Sequence, residues 1–171
     1  NEVYPGVPAL LADLKAAGKT VILATSKPEA FARRIMEHFD LAQYCDFICG
    51  ATLDETRTDK AEVIAYALET AGITDKTGLV MVGDREHDVL GAKKNGLPCI
   101  GAVYGYGPAE ALTAAGAAAL AATVEDLPRK PYPMPRAPST SSIAALSGQS
   151  GIFRVQTQTT ANARHTSIGR P

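Results

Sequence analysis

The sequence predicts an α/β protein with a doubly wound parallel sheet covered by helices. Short apolar and β-branched runs alternate with helical patterns through residue 127. Such alternation is typical of right-handed strand–helix–strand units. Polar residues follow the carboxyl ends of several strands, and ligands bind at that edge of open parallel sheets. We therefore expect one domain over residues 1–127, with its functional residues at one edge of the sheet.

Composition excludes several classes of protein. A chain of 171 residues with 46% hydrophobic content is long enough for a domain with a real core. No segment approaches the roughly 20 apolar residues of a membrane span, and the start lacks the basic and apolar regions of a signal peptide. We expect a cytoplasmic protein with no membrane partner. Cys45, Cys49 and Cys99 show no Cys-x-x-Cys spacing, which favours free thiols over a disulfide or a zinc site.

Charge divides the chain into two parts. Residues 1–127 hold 11 Lys and Arg and all 18 Asp and Glu, whereas residues 128–171 hold six basic residues and no acid. The acidic body argues against nucleic acid as a partner, because phosphate backbones are bound through clustered basic residues.

The first strand leads to a polar end. A helix is predicted over 5–17, and the run 20–25 reads as a buried strand ending in Thr25-Ser26 before Pro28 starts a helix. Hydroxyls and free N–H groups at a helix N-terminus attract anions, phosphate above all. Ser26 could equally serve only as a helix cap.

The next unit places a lysine at the start of a helix. A helix over 29–39 and a short strand over 46–50 precede a polar loop, and Lys60 then opens the helical pattern of 61–71. The helix dipole disfavours a cation in the first turn. This position suggests that Lys60 serves something other than the helix.

A third strand ends in acids. The apolar run 79–82 is followed by Gly83, which lets the backbone approach a ligand closely, and then by Asp84 and Asp88. Two carboxylates four residues apart at a strand end suggest a hard cation such as Mg²⁺. The alternative is that Asp84 only caps the following helix.

The remaining segments complete the domain. A helix ending at Asn95-Gly96 precedes a strand over 98–103, and a helix with a short edge strand follows over 109–124. The glycines at 101, 105 and 107 do not form Gly-x-Gly-x-x-Gly, so a dinucleotide-binding interpretation is weak.

Residues 128–171 form a basic tail rich in Pro, Ser and Thr. We expect it to be disordered or loosely extended, as a solvated linker more than a binding segment. The tail is either a natural extension or the product of a shifted reading frame, and its abrupt change in composition at Pro128 suggests the latter. The run 151–155 could pair as a short strand.

The order and spacing of these segments over residues 1–127 resemble the haloacid dehalogenase superfamily, in particular its phosphoglycolate phosphatase-like branch. The run 21–28, which ends its strand in Thr25-Ser26, is similar to the second motif of that family. Lys60 is similar to the third motif, and the run 83–88 followed by 91–96 is similar to the fourth. The sequence Tyr-Gly-Tyr-Gly over 104–107 also recurs in this branch.

The resemblance implies a phosphoryl-transfer site. Thr25 and the backbone N–H of Ser26 would hold the phosphoryl oxygens, and Lys60 would neutralise charge on the phosphate and the nucleophile. Asp84 would bind Mg²⁺, and Asp88 would bind it through water or orient Lys60. Arg85 and His87 are interpreted as surface or supporting residues.

Two parts of the family pattern are missing. The first motif, Asp-x-Asp on an N-terminal strand with the nucleophile, does not occur in the sequence. The helical cap domain is absent too, so the chain is interpreted as the C-terminal part of such an enzyme. The lost strand lies between those ending in Thr25 and Asp84 in the family. We therefore expect an incomplete sheet with unpaired groups at its centre.

The leading hypothesis is a Mg²⁺-dependent phosphatase acting on a small phosphorylated substrate such as phosphoglycolate or a nucleoside monophosphate. The chain alone is expected to be nearly inactive, because the nucleophile is missing. The alternative is a non-catalytic fragment or pseudoenzyme that binds phosphate or a partner protein. A receiver domain is disfavoured, since its acids precede its Thr and Lys. The sequence leaves the oligomeric state open.

Overall fold

The computed structural model describes residues 2–127 and the backbone of 151–154. It contains a six-stranded sheet flanked by helices, which confirms the α/β fold class. The strands are β1 (Thr20–Pro28), β2 (Phe47–Ala51), β3 (Leu79–Gly83), β4 (Cys99–Ala102), β5 (Ala119–Ala121) and β6 (Gly151–Arg154). The helices are α1 (Val7–Ala16), α2 (Glu29–His38), α3 (Lys60–Thr70), α4 (Glu86–Lys94) and α5 (Ala109–Ala115), with short 3₁₀ turns at Ala42–Tyr44 and Val124–Asp126.

The sheet is parallel except at one strand. Its order is β2-β1-β6-β3-β4-β5, and the pairs β1–β2, β3–β4 and β4–β5 are all parallel. Connections between parallel strands pass through helices, as the alternating sequence pattern predicts. The carboxyl ends of β1 and β3 therefore lie on the same edge of the sheet.

Both faces of the sheet are buried, because helices cover each side. The middle of β1, from Val21 to Ala24, is fully buried, and β3 is buried along its whole length. One core lies between the sheet and α1, around Leu11, Leu23 and Val82. The other packs α3 against the opposite face, around Ile22, Ile64 and Met81. Continuous apolar strands of this kind are what a sheet covered on both faces requires.

The centre of the sheet differs from the open gap that we expected. In residues 2–6, ahead of α1, there is no strand, but β6 lies between β1 and β3 and pairs antiparallel with both. Its Ile152 is in register with Ile22 on one side and Met81 on the other. Leaving buried backbone groups unpaired costs about 1–3 kcal/mol each, so a short extended segment is stabilised in this position. The expectation of lost ladder partners is therefore wrong for these strands.

The rest of the tail is not described. Residues 128–150 and 155–171 lie outside the described residues, so the domain boundary at 127 and the disorder of the tail stay predictions. Across 2–127, the helices are all too short or too polar for a membrane crossing.

Candidate functional site

Thr25 and Ser26 lie at the carboxyl end of β1. Thr25 is buried, with 5% of its surface exposed, and its Oγ1 accepts the N–H of Lys27 at 3.2 Å. Ser26 is exposed. Strand β1 continues to Pro28, which occupies the N-cap position of α2 and makes no side-chain cap. Ser26 therefore does not cap the helix, and it is exposed at the sheet edge.

Lys60 is buried although it begins a helix. Asp59 and Glu62 form a capping box around the first turn of α3, which fixes the start of the helix at Lys60. Only 8% of the Lys60 surface is exposed. Its Nζ donates to the carbonyl oxygen of Ala24 at 3.2 Å and lies 3.1 Å from Oδ1 of Asp88. The ammonium group thus reaches the ends of both β1 and α4, as its unfavourable position on α3 suggested.

Both carboxylate oxygens of Asp88 have a partner. It is 2% exposed, its Oδ1 contacts Lys60, and its Oδ2 accepts the N–H of Arg85 at 3.1 Å. Of the two roles considered for Asp88, this geometry supports orienting Lys60. A water-mediated contact of Asp88 with Mg²⁺ stays a prediction. Arg85 and His87 are exposed on the same turn.

Asp84 is clamped by the loop that follows β4. Its Oδ2 accepts the N–H of Tyr106 at 3.0 Å, and its carbonyl oxygen accepts the N–H of Gly107 at 2.8 Å. A Cβ on Gly105 would collide with the Asp84 side chain, and one on Gly107 would collide with the Asp84 carbonyl oxygen. Both glycines are therefore required for this close approach. This function of the Tyr-Gly-Tyr-Gly run was not predicted, although its alternating glycines could have indicated it.

The donor set for a cation is small. Residues 2–127 contain no group of three or more His, Cys, Asp or Glu placed to hold a metal. Asp84 is 5% exposed, and within the described part of the chain its Oδ1 accepts no hydrogen bond. Mg²⁺ is commonly bound by one or two carboxylates together with phosphate oxygens and water. The residues present fit Mg²⁺ in that shared mode, and do not form a complete protein site.

The sheet edge therefore combines opposite charges in a small space. Thr25, Lys60, Asp84 and Asp88 are the buried polar or charged side chains of residues 2–127, and they come from β1, α3, the β3–α4 turn and α4, respectively. A buried cation and hydroxyl suit an anionic ligand, and the carboxylate of Asp84 suits a cation bridging to that ligand. The strand at the sheet centre, Gly-Ile-Phe-Arg, brings no acidic side chain to act as a nucleophile.

The three cysteines are free, as the sequence predicts. Burial raises the pKa of Cys45 to about 12 and that of Cys49 to about 11, and it also raises the pKa of Cys99. Protonated, buried thiols of this kind are structural and poor nucleophiles.

Comparison with known proteins places the chain among phosphatases and related proteins. Residues 1–102 match the model of the haloacid dehalogenase-like hydrolase family. A 5'-nucleotidase of Pseudomonas aeruginosa is 46% identical over 114 residues, covering 67% of this chain and 51% of the relative. The tyrosine-protein kinase PtkA of Mycobacterium bovis is 41% identical over 129 residues, covering 74% of this chain and 44% of the relative. A probable phosphoglycolate phosphatase of Pseudomonas putida is 36% identical, covering 61% and 41%.

The likeness extends to solved structures. A predicted phosphatase from Clostridium acetobutylicum superposes with a TM-score of 0.71 at 46% identity, covering 73% of this chain and 57% of that chain. The chain spans about half the length of the curated relatives that it matches.

Proposed function

Because the chain belongs to the haloacid dehalogenase-like hydrolase family, we propose that it carries the phosphate-binding and Mg²⁺-binding half of a phosphatase site. Its relatives support a hydrolase by family. The observation that carries the proposal is the contact of Lys60 with Ala24 and Asp88 at 3.2 and 3.1 Å, which joins the three motifs at one buried edge.

Each residue has a role in this proposal. Thr25 Oγ1 and the N–H of Ser26 bind the phosphoryl oxygens at the end of β1, where backbone donors and a hydroxyl are available to an anion. Lys60 neutralises the phosphate charge, and Asp88 positions Lys60. Asp84 binds Mg²⁺, which when present would offset charge on the phosphoryl oxygens. The burial of Thr25, Lys60, Asp84 and Asp88 strengthens their electrostatic interactions.

The chain alone is proposed to bind phosphate without efficient turnover. The sequence contains no Asp-x-Asp, and the central strand β6 contributes Gly, Ile, Phe and Arg. Hydrolysis through a covalent intermediate requires a nucleophile, and in the part of the chain that the structure describes the two buried carboxylates of this edge, Asp84 and Asp88, are assigned to Mg²⁺ and to Lys60. This observation also favours the second candidate, a non-catalytic protein that binds a phosphorylated ligand.

The names of the relatives suggest the class of substrate. Phosphoglycolate and nucleoside monophosphates are the two classes proposed, because relatives are named for a 5'-nucleotidase and a phosphoglycolate phosphatase. We therefore propose that the protein binds a small phosphorylated molecule and binds neither nucleic acid nor a membrane. We also propose that it is cytoplasmic.

Inorganic phosphate binding by the full chain tests the proposal. We expect saturable binding that is strengthened by Mg²⁺ and weakened at least tenfold by Lys60→Met, with Lys94→Met as the exposed control. Turnover of p-nitrophenyl phosphate should stay near background. Equal binding by the Lys60→Met variant would contradict the assigned site, and rapid Mg²⁺-dependent turnover would contradict the expected inactivity.

A further inference from the structure

An exposed aromatic ring and an exposed cation lie at the rim of the proposed phosphate site. Tyr106 is 72% exposed, which is unusual for a large ring. The guanidinium carbon of Arg85 lies 5.2 Å from the centroid of that ring. Because the N–H of Tyr106 is bonded to Asp84, this rim pair, Arg85 and Tyr106, is attached directly to the site.

The backbone that presents the ring is fixed. Gly105 and Gly107 pack closely against Asp84, and the N–H of Gly107 donates to the carbonyl oxygen of Asp84. The neighbouring Tyr104 ring packs edge-on against Tyr4, with centroids 5.6 Å apart. The exposed ring of Tyr106 is therefore carried by a loop anchored on both sides of it.

A second Arg–Tyr pair in the chain, Arg57 and Tyr66, connects elements of the fold. Arg57 lies 3.6 Å from the centroid of the Tyr66 ring, donates to the carbonyl oxygen of Gly50 at 3.0 Å, and lies near Glu29. That pair therefore ties several elements together.

The rim pair joins only the β3–α4 turn and the loop after β4, which the backbone bonds to Asp84 already hold together. Within 2–127, none of the ion pairs includes Arg85. Both side chains of the rim pair are exposed and therefore accessible to a ligand at the edge of the site.

We propose that Arg85 and Tyr106 recognise the organic part of the phosphate ester, and that this part carries a planar aromatic or heteroaromatic group. Aryl phosphates and nucleoside monophosphates share this chemistry. The ring would stack on Tyr106, and the Arg85 cation would contact the opposite π face or a ligand oxygen. The inference rests on the proposed function, since the phosphate must be held by Thr25, Lys60 and Asp84 for the rim to act.

Binding of four ligands to the full chain with Mg²⁺ tests this inference. The probes are inorganic phosphate, ribose 5-phosphate, adenosine 5′-monophosphate and phenyl phosphate, measured by calorimetry. Base stacking on aromatic side chains predicts that at least one aromatic ester binds roughly tenfold or more tightly than ribose 5-phosphate. Tyr106→Ala should remove most of that difference, and Tyr106→Phe should retain it.

The control and the outcomes separate the two proposals. Leu53→Ala removes an apolar side chain that is 70% exposed, and it should change no affinity. If phosphate binds but neither aromatic ester binds more tightly than ribose 5-phosphate, the rim inference is wrong and the phosphate site stands. If no ligand binds at all, both proposals are wrong. A preference for phenyl phosphate over the nucleotide would identify an aryl ester, and the reverse a nucleotide.

Discussion

The ammonium group of Lys60 and the carboxylate of Asp88 form a buried contact of 3.1 Å between α3 and α4. The two residues are 8% and 2% exposed, so each charge depends on the other for compensation. Because Nζ also donates to Ala24, this contact fixes the cation beside the end of β1. The pair therefore connects α3 to α4 and positions the charge of Lys60 at the site.

Removing one partner of this pair should destabilise the protein strongly. We expect Lys60→Met, or Asp88→Leu, to lower the free energy of unfolding by about 3–5 kcal/mol, because one buried charge then lacks its counter-ion. Replacing both should cost clearly less than the sum of the two single losses. Urea unfolding of the three variants gives these values. Strictly additive losses would show that the two charges do not interact.

Gly105 should be required for the position of Asp84. In Gly105→Ala the new methyl group collides with the Asp84 side chain, so we expect inorganic phosphate binding with Mg²⁺ to weaken at least tenfold. Gly18→Ala is the control, because Gly18 has a φ of 68° and open space around it. Its left-handed backbone should cost about 1–2 kcal/mol of stability without changing binding. Equal loss of binding in both variants would argue against the clamp.

Strand β6 should stabilise the centre of the sheet. Ile152→Pro removes a backbone donor from a strand that is paired on both sides, which should lower stability by about 1–3 kcal/mol. Hydrogen exchange should accelerate at Ile22 and Met81, which are in register with residue 152. Ile152→Val keeps the N–H and is the matched control. Unchanged exchange in the proline variant would show that 151–154 does not pair there in solution.

The buried thiols should make stability fall at high pH. The pKa of Cys49 is raised from 9.0 to about 11 in the folded protein, mainly by burial. A group whose pKa is raised on folding stabilises the protein fully below its unfolded pKa. That contribution is lost as the pH rises from about 9 through 11. Urea unfolding midpoints at pH 8 and pH 10.5 measure this loss of stability. Cys49→Ala should reduce the fall in midpoint between the two pH values. An equal fall in the variant would argue against Cys49 as a cause.

Most of the fold could be predicted because each element carries a local signal. The apolar stripe of α1, the continuous apolar run of β3 and the glycines after several helices determine the elements within a few residues. The start of α3 at Lys60 is set by the capping box of Asp59 and Glu62, one residue before the predicted helix start.

The run 151–155 was expected to be able to pair as a short strand, but its place at the centre of the sheet could not be predicted from local pattern. The run 151–154 is short, and it forms a strand because β1 and β3 leave backbone groups to be paired. The contact of Lys60 with Asp88 also depends on how α3 and α4 pack, although the unfavourable place of Lys60 indicated a special role. The clamp on Asp84 requires knowing that the loop after β4 returns to the end of β3.

A Mg²⁺ titration in the presence of inorganic phosphate tests the central claim most directly. The amide signals of Thr25, Ser26, Asp84 and Tyr106 would be followed in the full chain, with Lys60→Met as the comparison. The account predicts saturable shifts at all four residues in the wild-type chain and much weaker shifts in the variant. Saturation at Asp84 without any change at Thr25 and Ser26, or identical titrations of both proteins, would contradict a shared phosphate and Mg²⁺ site.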